Sequence, residues 1–349
     1  MTQGTLRNVD ALVRAGLATE AARDELEAVA ARYAVAITQP VAALIARGDS
    51  ADPIARQYVP DPRELQATEG DLADPIGDRR HTPVEGIVHR YPDRVLFKVV
   101  HVCPVYCRFC FRREMVGPGR EANLSPQAIG QARDYIAAKS GIREVIFTGG
   151  DPLVLAPHRV AALTQMIDAI GHVERIRWHT RMPVVDPARI DTGMARALEP
   201  RRAQLVIALH ANHPAEFTPA AGEAIRALRD AGARLLSQSV LLRGVNDDSS
   251  TLAALFDTFR AHGVVPYYLH HADLAPGTAH FRTSIRHGIG LMQDLRAKTP
   301  DEALPDYVLD IPGGYSKASL LGDRAIETRP GHWQLRDDTG QWHDYAERL

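Results

Sequence analysis

Cysteine is scarce. The 349 residues hold three, Cys103, Cys107 and Cys110, all close together, so no disulfide framework staples this chain. Long apolar runs are missing too: no stretch approaches the roughly 20 residues of a membrane-spanning helix. The opening MTQGTLRNVD has neither the basic nor the apolar part of a signal peptide, so a cytoplasmic protein is expected. Neither sign of charge dominates. With 41 Lys and Arg against 43 Asp and Glu the formal net charge is -2, which excludes a global pull towards nucleic acid or anionic membranes. Small-molecule chemistry is therefore expected. The rest is an ordinary globular composition, 45% hydrophobic and 24% charged, without repeats or low-complexity tracts. It is long enough for one large α/β domain or two of average size.

Along the chain, Val9, Leu12, Val13 and Leu17 recur at helical spacing and the Ala-rich run 19–32 favours helix, which predicts a helical N-terminal region. Pro60, Pro62, Pro75, Pro83 and Pro92 then mark an extended wrapping segment, and a boundary is expected near residue 90. Beyond it, six β-like runs (94–101, 144–148, 175–179, 204–210, 234–240 and 264–269) alternate with helical stretches at 126–139, 157–170, 187–198, 220–231 and 250–262. Repeated βα units predict a parallel sheet, either doubly wound or curled into a complete or partial barrel. Right-handed crossovers place every loop at a strand's C-terminal end around one mouth. A further β-like stretch at 307–311 precedes Pro312-Gly313-Gly314. The expected division is a helical and wrapping region 1–90, a barrel 91–320 and a tail 321–349.

The three cysteines read Cys103-x-x-x-Cys107-x-x-Cys110 directly after the first of the six strands. Three thiolates on one short loop hold a metal centre but leave one coordination position open. Zinc lacks an obvious fourth ligand here. A c-type haem needs His where Phe111 stands, and a redox dithiol has no use for a third Cys. An iron–sulfur cluster with one accessible iron fits the spacing best. Gly149-Gly150-Asp151-Pro152 follows the second strand, where glycines let backbone approach a ligand closely. Lys317 follows the glycine-rich turn that starts at Asp310. Such a lysine can condense with an aldehyde cofactor if burial or a neighbouring cation lowers its pKa.

The cysteine loop at the head of a βα series resembles the radical S-adenosylmethionine (SAM) superfamily. Gly149–Pro152 resembles its segment that contacts the methionine amino group, with Asp151 in place of the more usual Glu. That resemblance implies a [4Fe-4S] cluster on Cys103, Cys107 and Cys110, SAM chelating the fourth iron, and a partial (β/α)6 TIM-like barrel with an N-terminal helical extension. More narrowly, the chain is similar to lysine 2,3-aminomutases over about residues 75–320. The matching stretches are His89–Arg94, Cys110–Arg113, Gly149–Pro152, Gln238–Asp247, Tyr267–Leu274 and Asp310–Lys317. This implies pyridoxal 5'-phosphate (PLP) on Lys317, held by Arg90, Arg94 and Gln238. It also implies a substrate carboxylate on Arg112 and a substrate ε-ammonium between Asp273 and Asp310. Two facing carboxylates repel unless a cation sits between them, so such a pair selects a long cationic side chain.

The activity so implied is interconversion of L-lysine and β-lysine by 1,2-amino migration, started by a 5'-deoxyadenosyl radical. An electron donor such as flavodoxin or ferredoxin is implied as partner. The chain lacks the extra cysteines that bind structural zinc in longer aminomutases, so zinc-linked tetramers are not expected and a homodimer is the oligomer considered. In length it is similar to the aminomutase that makes (R)-β-lysine for elongation factor P, although that relative carries Glu where this chain has Asp310. Competing readings are a 2,3-aminomutase for arginine or glutamate, and a non-catalytic iron–sulfur and SAM-binding sensor or zinc module.

Overall fold

Alternation of β-branched runs with amphipathic stretches produces, in the computed structural model, a nine-stranded sheet whose strands follow chain order. The structure describes residues 4–116 and 121–349. The strands are β1 Ile87–Tyr91, β2 Arg94–Val100, β3 Glu144–Gly149, β4 Arg175–Thr180, β5 Gln204–His210, β6 Arg234–Val240, β7 Val265–His270, β8 Asp306–Asp310 and β9 Lys317–Ser319. Pairing is parallel from β2 to β8 and antiparallel at both edges. Near-continuous burial along β3, β5 and β6 fits strands covered on both faces. Phe97, Phe147 and Trp178 are register neighbours on β2, β3 and β4, and their rings stack at 5.4 and 4.1 Å to form the heart of the core.

Before the sheet come short helices α1 Val9–Arg14, α2 Arg23–Arg32, α3 Gln39–Leu44 and α4 Pro53–Tyr58. The crossovers are α5 Pro126–Ala137, α6 Pro157–Asp168, α7 Met182–Val185 with α8 Thr192–Leu198, α9 Pro219–Asp230, α10 Ser249–Ala261 and α11 Ile285–Arg296. Ser125, Asp191, Thr218, Asp248 and Ser284 cap α5, α8, α9, α10 and α11 by accepting a hydrogen bond from a first-turn amide.

The six expected strands and four of the five expected crossover helices form within a residue or two of their expected bounds. The stretch 187–198 differs. Pro187 starts only a single 3-10 turn, and a new helix opens after Asp191, whose extended backbone and side chain, accepting from the Met194 amide, cap a fresh start. The fold adds elements the sequence reading did not contain: β1, helix α11 and β9. In the tail there is also an antiparallel sheet of β10 Ala325–Arg329, β11 His332–Arg336 and β12 Trp342–Ala346, over which Trp333, Leu335 and Tyr345 are buried.

The curled sheet does not close by strand pairing, and the wrapping segment fills its seam. Arg80 donates to the Gly313 carbonyl (3.0 Å), Arg90 to the Ile76 carbonyl, and the Leu72 amide to the Leu274 carbonyl (2.7 Å). Among the described residues no helix is long and apolar enough to cross a membrane.

Candidate active site

The cysteine loop leaves the C-terminal end of β2 and is held from behind by the N-terminal region. The Tyr106 amide donates to the Ala36 carbonyl (2.8 Å) and the Arg108 amide to the Gln57 carbonyl (2.9 Å). The Arg108 guanidinium reaches the Ala34 carbonyl (2.7 Å) and both oxygens of Glu64 (2.9 and 2.5 Å), and Arg113 joins the same carboxylate. All three charged side chains are fully buried. One acid between two guanidiniums thus fixes the loop on either side of Cys110.

Burial pushes all three thiols up in pKa, Cys110 to about 11. Cys107 is eased by Arg181, whose Nη1 donates to its Sγ at 3.3 Å. Thiols this reluctant to ionise become thiolates when a positive metal centre supplies the missing charge. Among the described residues no three His, Cys, Asp or Glu side chains gather round a point that would hold a single metal ion.

Gly149 and Gly150 serve this loop directly. Gly149 has φ +114°, and a Cβ there would lie 2.3 Å from the Val100 carbonyl oxygen. A Cβ on Gly150 would lie 2.1 Å from the Val102 carbonyl oxygen. The backbone that approaches so closely is the lead-in to Cys103, tied by Gly150 N–H to Val100 O (2.8 Å) and Asp151 N–H to Val102 O (3.1 Å). The Asp151 carboxylate turns inward: it accepts from Thr180 Oγ1 (2.8 and 2.9 Å), the Arg181 amide (2.8 Å) and the Leu153 amide (3.0 Å). Pro152, also buried, opens the short turn that follows.

At the opposite edge Lys317 begins β9 in register with Asp310 at the end of β8, and its Nζ lies 2.7 and 2.8 Å from the two carboxylate oxygens. Asp310 is also approached by Arg90 Nη1 at 3.3 Å and by His270 Nδ1 at 3.5 Å. A lowered Lys317 pKa was the condition for condensation with an aldehyde, and the surroundings of Lys317 push it the other way. Burial would lower it, but the Asp310 carboxylate more than reverses that and holds the amine protonated. Asp273 faces the same charges: burial first, then Asp310, pushes it up to about 8.

Arg112 donates to the fully buried Asp78 (3.1 and 3.2 Å) and stacks on Phe111 (4.5 Å). Lys98 (3.5 Å) and Arg90 (3.7 Å) flank that same carboxylate. A cavity of about 390 Å³ opens beside Lys98, Arg112 and Gly149, between that guanidinium and the glycine segment. Arg94 pairs with Asp93 (2.9 Å) and lies over the Tyr91 ring (5.1 Å). Gln238 is buried on β6 beside His210.

The structure therefore brings Lys317, Asp310, Arg90, Asp273 and Arg112 into one charged interior, with Arg94 and Gln238 at its margins. Sequence reasoning missed Asp78, Lys98, His179, Arg181 and His210. His179 and His210 sit at the ends of β4 and β5, burial keeps both neutral (His210 at about 3), and the Nε2 of each is buried with no hydrogen-bond partner. Unsatisfied buried nitrogens in a mouth of this kind fit bound groups that carry donors of their own. For His179 and His210, polar side chains at parallel-strand C-termini were the available signal.

A family model described as the Radical SAM superfamily matches residues 97–255. The chain is 37% identical over 313 residues to the L-lysine 2,3-aminomutase of Fusobacterium nucleatum, covering 90% of this chain and 73% of that protein. It is 37% identical to the protein of the same name from Haemophilus influenzae, covering 83% and 86%. It is 32% identical to the glutamate 2,3-aminomutase of Clostridioides difficile, covering 96% and 79%.

Proposed function

Because the chain belongs to the lysine 2,3-aminomutase family of radical SAM enzymes, we propose that it interconverts L-lysine and β-lysine by 1,2-amino migration. The observation that carries the substrate is the pair Asp273 and Asp310 facing one interior with Lys317, with Arg112 in reach of the same charges. Cys103, Cys107 and Cys110 would hold the [4Fe-4S] cluster. The Gly149–Pro152 segment would back SAM, and Lys317, Arg90, Arg94 and Gln238 would hold PLP. When bound, the cluster and SAM supply a carbon-centred radical and PLP supplies an electron sink for it. A flavodoxin or ferredoxin would deliver the electron.

The protein's own part is orientation. Arg112, braced on Phe111 and steered by Asp78, presents its guanidinium to the substrate carboxylate. The acid pair fixes the other end. Asp273, which keeps its proton while Asp310 is its neighbour, gives it up when an ammonium arrives between them. Two anchors at opposite ends of one extended amino acid leave its middle carbons little freedom, which is what a hydrogen transfer between carbons requires. A glutamate side chain would meet repulsion at the same acids.

The test is a substrate panel with the anaerobically reconstituted chain. Lysine should turn over, and glutamate and arginine should not. Turnover of glutamate in preference to lysine would refute the substrate assignment.

A further inference from the structure

Arg181 stands at the end of β4 with its guanidinium against a cysteine sulfur, and none of the roles above uses it. Its backbone is delivered there by Asp151, which accepts from the Arg181 amide and from Thr180. Its side chain lies in a dry setting between the Phe109 ring (5.3 Å) and the Tyr58 ring (5.6 Å). Nη1 donates to Cys107 Sγ at 3.3 Å, and Nη2 to Glu216 Oε2 at 2.8 Å and Gln57 Oε1 at 3.3 Å. Nε is buried with no hydrogen-bond partner, so one donor of this side chain is unused. Glu216 is itself fixed by the amides of Asn212 (2.6 Å) and His213 (3.0 Å) and by the Tyr58 hydroxyl (3.3 Å).

We propose that Arg181 is a positioning residue that sets the reduction potential of the cluster, through its hydrogen bond to Cys107, with Glu216 as the counter-charge that limits its effect. The inference rests on the reading that the three cysteines hold an iron–sulfur cluster. One-electron reduction adds a negative charge to a centre already surrounded by thiolates. A guanidinium donating to one of those sulfurs stabilises the reduced form more than the oxidised form, and low local dielectric enlarges the effect. Arg suits the task because it cannot lose its proton, so the potential it sets does not drift with pH. The Gln57 and Tyr58 contacts come from α4, so the N-terminal region reaches the cluster through this side chain as well as through the loop backbone.

The experiment is a redox titration followed by electron paramagnetic resonance on the full chain reconstituted with iron and sulfide, with iron content and absorption recorded for each variant. Arg181→Met should lower the midpoint by about a tenfold change in the reduction equilibrium, which is ~59 mV for a one-electron couple. Arg181→Lys should fall between that value and the wild type. Glu216→Gln should move the midpoint the other way. If Arg181→Met does not retain a cluster, the signs of the other two shifts decide. An unchanged midpoint in variants with intact clusters, or shifts of one sign in both Arg181→Lys and Glu216→Gln, overturns the inference alone. A wild-type chain that takes up no cluster overturns the functional reading with it.

Discussion

Lys317 and Asp310 face each other across the antiparallel pairing of β8 and β9, with Nζ 2.7 and 2.8 Å from the two carboxylate oxygens. The pair joins the group proposed to carry PLP to one of the acids proposed to read the substrate, so a change at either is felt by both.

Asp310 holds Lys317 protonated, and an amine must be neutral to attack an aldehyde. Asp310→Asn removes the anion, so the Lys317 pKa falls and PLP attachment, followed by visible absorbance, should reach half-completion about one pH unit lower. Lys317→Ala should abolish the absorbance change. A Lys317→Ala chain with an unaltered PLP spectrum would remove Lys317 from that role.

Asp273 carries a proton to about pH 8 in the folded chain against 3.8 for the free side chain. Between about pH 4 and pH 8 the folded state therefore binds the proton that the unfolded state has lost, and this group makes stability fall as pH rises through that window. Asp273→Asn should flatten the decline in melting temperature. It should also weaken lysine binding by about 2 kcal/mol or more, since Asp310 then meets the ammonium alone. Calorimetry at pH 7 in buffers of different ionisation enthalpy should show proton release on lysine binding to the wild type and none to Asp273→Asn.

The close approach of the glycine segment to the cysteine loop predicts damage out of proportion to a single methyl group. Gly150→Ala places a Cβ 2.1 Å from a backbone oxygen that no side-chain rotation can move. It should cost about 3 kcal/mol or more of stability and reduce iron uptake together, measured by denaturant unfolding and iron content. Normal iron uptake by a stable Gly150→Ala chain would show that the two segments are not coupled.

Glu64 tests the N-terminal clamp. Removing its charge strands Arg108 and Arg113 in the interior, so Glu64→Gln should destabilise the chain by about 3 kcal/mol. The cysteine loop should then become accessible to alkylating reagents before global unfolding.

The strand and helix alternation was legible because each element carries a periodic apolar pattern with a cap or proline at its start, and Gly149–Pro152 and the cysteines announced themselves by position. The Arg94 turn hid β1, since Tyr91-Pro92-Asp93 reads as punctuation between segments and not as a hairpin. The tail sheet escaped notice because its strands bury one residue in two at most and are otherwise polar. Asp78 and Arg181 were invisible for a different reason. Asp78 lies in a stretch without periodicity, and its partners Arg90, Lys98 and Arg112 come from later elements. Arg181 acquires meaning only when curling of the sheet sets the end of β4 beside Cys107. The Lys317–Asp310 contact was hidden because the sequence reading gave Asp310 one partner, the substrate, whereas the β8–β9 register gives it another.

The lysine reaction can be read in one assay: the chain is incubated anaerobically with its iron–sulfur cluster reconstituted, PLP, SAM, a reductant and L-lysine, and the products are separated by chromatography. β-Lysine should form, be lost in Lys317→Ala and be strongly reduced in Asp273→Asn. Cleavage of SAM without any β-lysine, by a chain with an intact cluster and bound PLP, would contradict the lysine reaction.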